Sequence, residues 1–352
     1  MQFQGGKPPI GVVFDSDFGN RIDSVLALAL LYGFDGRNEA RVISVTTSKS
    51  NLKSAAYCDA IGRFYAAGGF GRTLPVGMAD DNKNRDDSLI LTVPLEKKNA
   101  EGKPAYPHGI QKLNDTAIVE AVMRNALTAQ YDGNCMVVLA GPATNLARLL
   151  ALAGTKQWIE RKVKYLVVAG GAFPEGPPED HVKVDVESAK KIFTDWPGPV
   201  YVAGSEVSNG VLFPGASIEK DFAYAPSHPV ADAYRANKPG PYDAPTGDMS
   251  AVLYAVRPQE GYFKLSDPGT ITVLDDGRTK FTAGADGRHR YLIADPAQKE
   301  RIVKAYTEVA SAKPVPRQRL RPPQVDVKKD VKTDVAKPPV DKPDQLKPPD
   351  QP

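Results

Sequence analysis

Cysteine is nearly absent: two residues, Cys58 and Cys135, in a chain of 352. They lie far apart, without the short spacing of a metal knuckle or a disulfide framework, and read as core cysteines. No run of about 20 apolar residues exists to cross a membrane, so membrane insertion is excluded. The opening MQFQGGKPP lacks the charged and apolar regions of a signal peptide, which makes a cytoplasmic location the default expectation and an exported one the case if a leader preceded Met1. An excess of one charge is also missing, with a net charge of +3 and pI ≈ 8.6. Without a basic stripe interleaved with aromatics, nucleic acid is not an expected partner. The Gly141-Pro142 turn has no following Lys-Ser/Thr, which argues against a triphosphate loop. Heptads and solenoid repeats are absent too.

What remains is ordinary for a globular protein with a sizeable core: 41% hydrophobic and 25% charged residues. Short apolar runs alternate with helical segments. Strands are expected at Val12–Phe14, 41–47 (RVISVTT), 73–77 (TLPVG), 135–139 (CMVVL), 164–168 (KYLVV) and 199–202. Helices are expected over 25–31, 52–67, 114–130, 146–152, 186–193, 249–256 and 296–311. The alternation predicts an α/β fold, an open and mostly parallel Rossmann-like sheet flanked by helices. A small C-terminal β-hairpin turning at Asp275-Asp276-Gly277, then a helix, closes it. Residues 78–111 are polar and aperiodic and read as one long loop, the kind that often covers a site. His228 and His289 fall outside every motif and read as surface residues. Residues 1–312 make one α/β domain. Residues 313–352, rich in Pro, Lys, Asp and Gln, have too little apolar surface to offset ordering entropy and predict a disordered tail.

The organising stretch is GVVFDSDFGNRIDSVLALALLYG, Gly11 to Gly33. A buried strand ends in Asp15 and Asp17, and a helix begins with Asp23 and Ser24 in or before its first turn, where carboxylates and hydroxyls suit free N–H groups. Ligands of open parallel sheets gather beyond the carboxyl ends of the strands. Crowded carboxylates there repel one another, and a cation or cationic transition state would relieve them. Other polar residues follow later strands: Asn51, Thr144, Asn145, Glu179, His181 and, before a late helix, Asp248.

Asp15-Ser16-Asp17-Phe18-Gly19-Asn20-Arg21-Ile22-Asp23-Ser24-Val25-Leu26-Ala27-Leu28 resembles the opening D-x-D-x-G-x-x-x-D-D-A-L-A-L of the nucleoside hydrolase family, inosine–uridine-preferring type. Val45-Thr46-Thr47 with Asn51, Pro75-Val76-Gly77, Gly141-Pro142-Ala143-Thr144-Asn145-Leu146-Ala147, Gly170-Gly171-Ala172-Phe173 and Glu179 to Ala189 match in order, covering roughly Pro9 to Ser311. The resemblance implies an N-ribohydrolase that cleaves a ribonucleoside, a small ribosyl substrate, with bound Ca2+. It assigns Asp17 to the ion and to the attacking water. Asp23, Asn51 and Glu179 go to ribose, Asp248 and the Ala140 carbonyl to calcium, and Asp15 to support of the same shell. Relatives are commonly dimers or tetramers, which leaves a homo-oligomer open.

Four positions depart from the pattern. Ser24 replaces the second aspartate of the D-D pair, a principal calcium ligand, and its single neutral oxygen lowers the expected affinity. Arg21 brings positive charge where relatives often carry an acid. His181 replaces the asparagine of E-x-N, and Gly247 a histidine or aromatic residue. Cleavage at ribose C1′ passes through an oxocarbenium-like cation. Carboxylates such as Asp23 and Glu179 suit that charge, and Asp17 suits a general base. His108 of the long loop and His181 are the candidates to meet the leaving base. Two alternatives stand beside this reading. One is a relative that binds a ribosyl or sugar ligand without turnover. The other is a haloacid dehalogenase-like phosphohydrolase using Asp15 as nucleophile, Asp17 as acid/base and magnesium, although its later motifs do not follow in order.

Overall fold

The computed structural model describes residues 8–66 and 73–315. The tail expected from residue 313 lies outside the described residues from 316 onward, as does the last residue of the helix expected over 52–67. The first half runs β1 (Ile10–Ser16), α1 (Ile22–Gly36), β2 (Ala40–Thr47), α2 (Leu52–Ala66), β3 (Val76–Met78), α3 (Leu89–Glu96), α4 (Val119–Thr128), β4 (Cys135–Ala140), α5 (Thr144–Ala151), α6 (Thr155–Lys162) and β5 (Val163–Ala169). It continues with α7 (Asp180–Val184), α8 (Val186–Asp195), β6 (Val200–Ala203), α9 (Ser205–Gly210), α10 (Gly215–Lys220), α11 (Pro229–Asn237) and α12 (Gly247–Val256). It ends with β7 (Phe263–Leu265), β8 (Gly269–Val273), β9 (Thr279–Ala283), β10 (His289–Ala294) and α13 (Lys299–Ala310).

The sheet has the order β3-β2-β1-β4-β5-β6-β10-β8-β9, with β7 also paired to β10. Every pair from β3 to β10 is parallel, and β10 meets β7 and β8 antiparallel. The hairpin β8–β9 turns where expected, with Gly277 at φ +84°. Residues of β1 serve both faces of the sheet. Val12 and Phe14 join a core with α1, α2, α12 and α13, while Val13 joins a second core with α4, α5 and α8. The first turns and middle of α1, Ile22 to Leu31, are wholly buried, as a helix apolar on all sides must be. Its N-terminus is thereby fixed beside the strand ends.

Three expectations need correction. Residues 78–111 are not one loop, because Ser88 caps α3 through the Ile90 N–H and Ile90 and Leu91 are buried. Leu91 packs where a Cβ on Gly19 would stand 2.5 Å away, so the glycine of the opening motif is required both by this contact and by its φ of +102°. His228 and His289 are buried, not on the surface. His228 caps α11 with Nδ1 accepting from the Val230 N–H, and His289 Nδ1 accepts from the Ile271 N–H. No helix among the described residues is long and apolar enough to cross a membrane.

Candidate active site

A cavity of about 230 Å3 lies beyond the carboxyl ends of β5 and β6, with Ala169 and Ala203 in its wall. Its polar lining includes Arg21, Asp23, Glu179, His181 and Asp248, four of them read from the sequence as strand-end or helix-start site residues. Two chain segments far apart in sequence meet here through α12. The Asp23 carboxylate accepts from the backbone N–H groups of Asp248 (2.7 Å) and Met249 (3.2 Å), so an acid at the start of α1 caps the start of α12. Burial nevertheless pushes the Asp23 carboxyl up to about 6, against those bonds and the Arg21 charge. Asp248 is buried with its Oδ2 unpartnered. Burial, then the Asp23 charge, hold its carboxyl well above the ordinary range.

Arg21 donates to Glu179 Oε1 at 2.8 Å. Burial works against its charge, but Asp248, Glu179 and Asp17 together raise the guanidinium further above its ordinary value. The other Glu179 oxygen accepts from the His181 N–H at 2.9 Å and so starts α7. The His181 ring is buried, with Nδ1 against the Ala169 carbonyl (2.8 Å) and Nε2 3.6 Å from Asp17 Oδ1. A carbonyl only accepts, so Nδ1 carries a proton. Burial lowers the imidazole, yet the Asp17 carboxylate outweighs it and lifts the ring to about 9.

Asp17 and Asp15 sit behind the lining. Asp17 Oδ2 accepts from Asn20 (2.7 Å), and Asp17 Oδ1 has no hydrogen-bond donor. Asp15 accepts from Thr46 (2.6 Å) and Asn145 (2.8 Å) through one oxygen, leaves the other unpartnered, and is raised by burial to about 7. Close approach at this point depends on Gly141, where a Cβ would stand 2.7 Å from the Asp17 nitrogen. Ser24 donates its hydroxyl to the Arg21 carbonyl (2.9 Å), and the Ala140 carbonyl accepts from Ser16 (2.8 Å). Gly247 donates its N–H to Ser208 Oγ (3.1 Å), and a Cβ there would press to 3.2 Å from that hydroxyl.

Two residues expected to touch substrate, Asn51 and His108, are absent from the cavity lining, as are Asp15, Asp17, Ser24 and Ala140. Asn51 accepts from the Lys53 N–H at the start of α2 and donates to the Arg85 carbonyl and Asp87, so its amide is spent on the 85–87 segment. His108 precedes Gly109, whose N–H is held by Asp59 of α2, away from the lining. One residue was missed. Lys49, two residues past β2, is buried and its Nζ donates to Asn20 Oδ1 (2.6 Å) and Asn84 Oδ1 (3.1 Å). Burial lowers its ammonium, while Asp17 works in the opposite direction. Its position after a strand was the available signal, the same that singled out Asn51.

An open, mostly parallel α/β sheet with an acid-lined cavity at its strand ends is an architecture whose ligands bind beyond the carboxyl ends of the strands. The sequence profile described as "inosine-uridine preferring nucleoside hydrolase" matches residues 12–334, and the chain belongs to that family. It is similar to a plant nucleoside hydrolase (22% identity, 87% of this chain and 100% of that one, TM-score 0.62). It is also similar to a purine-preferring ribonucleoside hydrolase from Gardnerella vaginalis (17% identity, 86% and 98% covered, TM-score 0.63). The type III effector protein XopQ, solved with adenosine diphosphate ribose, shares the fold (13% identity, 87% and 96% covered, TM-score 0.59). No curated protein sequence matches.

The family is generally metal-dependent, and calcium takes six to eight oxygen ligands. Here Asp15, Asp17 and Asp248 each keep a buried oxygen without a partner. The rest of the donor set is committed elsewhere. Both Asp23 oxygens bond backbone, the Ser24 hydroxyl turns to its own helix, and a guanidinium stands among the acids. Among the described residues no three His, Cys, Asp or Glu side chains converge to hold a metal ion. As arranged, the residues do not fit calcium.

Proposed function

We propose that the chain hydrolyses the N-glycosidic bond of a ribonucleoside or a related ribosyl compound. The supporting observation is the cavity in which Asp23, Glu179 and Asp248 meet beside Asp17 and His181. Water adds at C1′, the C1′–N bond breaks with its electron pair on the base, and charge develops on the ribose ring. Asp23 and Glu179 supply negative potential to that ring. Asp17 takes a proton from the water through Oδ1, the oxygen that no donor satisfies. Asp248, whose carboxyl burial pushes well above the ordinary range, gives its proton to the departing base. His181 fills the wall next to Asp17 and fixes that carboxylate's position. Calcium, the cofactor implied by family likeness, has no part in these steps.

The test is a panel of purine and pyrimidine ribonucleosides and ADP-ribose, with free base and reducing sugar measured. Release of both, abolished by Asp17→Ala, supports the proposal. Silence across the panel, with and without calcium, overturns it. The commitment of both Asp23 oxygens to α12 and of Glu179 to Arg21 favours a second reading, a relative that binds ribosyl ligands without turnover. Calorimetric binding of ribose or nucleoside by a protein that makes no product would select that reading.

A further inference from the structure

We propose that Arg21 and Lys49 stand in this chain in the electrostatic place of a divalent metal ion, so that the acid cluster is completed by protein cations and needs no calcium. This inference rests on the ribosyl site described above but not on its turnover. Arg21 lies between the first motif and the segment after β5, bonded to Glu179 at 2.8 Å and acted on by Asp248 and Asp17 as well. Lys49 reaches the same cluster from β2. Its ammonium holds Asn20 Oδ1 at 2.6 Å, and the amide of Asn20 holds Asp17 Oδ2 at 2.7 Å. The His181 ring closes the other side of Asp17 at 3.6 Å. Carboxyl groups at the end of β1 and at the starts of α1, α7 and α12 thus meet positive groups from three separate segments.

The geometry leaves a dication at a disadvantage. An ion drawn to Asp17 would share its field with the guanidinium and repel it. To take Glu179 as a ligand it would have to break the Arg21 pair, one of the charge-assisted hydrogen bonds of the site. The Ser24 hydroxyl, at the position of a carboxylate in the family motif, points to the Arg21 carbonyl and adds no charge. Arg21 and Ser24 therefore act as one exchange: a cation gained where an acid was common, and an acid lost three residues on.

The experiment is thermal unfolding of the full chain in EDTA and in millimolar calcium, with calorimetric titration of calcium into metal-free protein. Wild type is expected to unfold at the same temperature in both and to give no binding heat. Arg21→Ala is expected to unfold earlier in EDTA and to be restored by calcium, because the acids then lack their cation. A calcium-dependent rise in the wild-type Tm, or stoichiometric binding at micromolar calcium, overturns the proposal. So does an Arg21→Ala protein that remains indifferent to calcium. If that variant does not fold, the wild-type titration decides alone. The readouts separate the two claims. Protein that ignores calcium and releases no base defeats the proposed function and leaves this inference standing. Protein that hydrolyses nucleosides only with calcium does the reverse.

Discussion

In the proposed reaction Asp17 and Asp248 divide the work of one bond cleavage, and their surroundings set which does what. Asp248 is buried beside a second carboxyl, and burial, then the Asp23 charge, push its carboxyl well above the ordinary range, whereas Asp17 faces the His181 ring and the Asn20 amide. Asp248→Asn keeps the shape and the backbone bonds to Asp23 but has no proton to give. It is expected to lose about a hundredfold or more in kcat on ordinary nucleosides, and to recover most of it on a riboside whose leaving group needs no protonation. Asp17→Asn is expected to lose activity on both substrates. Steady-state kinetics with an inosine-type and a nitrophenyl riboside checks the pair. A single deletion, Asp23→Ala, is expected to lower stability as well as activity. It removes the acceptor of two N–H groups at the start of α12, a loss of about 1–2 kcal/mol, to be read from chemical denaturation. The D-x-D-x-G stretch was legible because each residue type answers a local demand. Gly19 takes a positive φ, the acids end a strand, and Asp23 starts a helix. Lys49 was not legible, since a lysine after a strand reads as solvated until the fold buries it.

The strands of the parallel sheet and helices α1, α2, α4, α5, α8, α12 and α13 were anticipated, whereas α3, α6, α7, α9, α10 and α11 were not. The six-residue helices α9 and α10 carry too few turns for an apolar stripe, and α3 hides within a polar stretch behind its Ser88 cap. Burial of His228 follows from the same gap, because α11 supplies its partner. With Nδ1 accepting from Val230, Nε2–H faces the Tyr224 hydroxyl at 2.9 Å, and the bond accepted at Nδ1 needs a neutral ring. Burial depresses this imidazole to about 3, against an ordinary 6.5. The unfolded chain therefore takes the proton first as pH falls. The contribution of this ring is complete above about pH 6.5 and is lost progressively toward pH 3. His228→Asn keeps a helix cap that does not titrate. Urea midpoints of the two proteins are expected to diverge in favour of the variant as pH drops from about 6.5 to 4, and parallel curves would contradict the assignment.

At the scale of the molecule, the sheet order explains why residues 17, 23, 179, 181 and 248 meet. Parallel strands β1, β4, β5 and β6 end on one edge, and α1 and α12 lie against each other with Asp23 joining their N-termini. This convergence was legible as polar residues after successive strands. What could not be read was orientation. Asn51 follows β2 as expected, yet its amide serves its own helix and a neighbouring segment, and no spacing rule predicts that choice. The resemblance named the fold and the class of chemistry, and the departures at Arg21, Ser24, His181 and Gly247 proved to be coupled to the geometry around them.

The most direct test of the central claim is hydrolysis of a ribonucleoside in heavy-oxygen water, with the sugar and base analysed by mass spectrometry. The account predicts free base without label and ribose carrying one heavy oxygen at C1, absent from the Asp17→Asn protein. No cleavage of any nucleoside, or sugar released without the label, would contradict it.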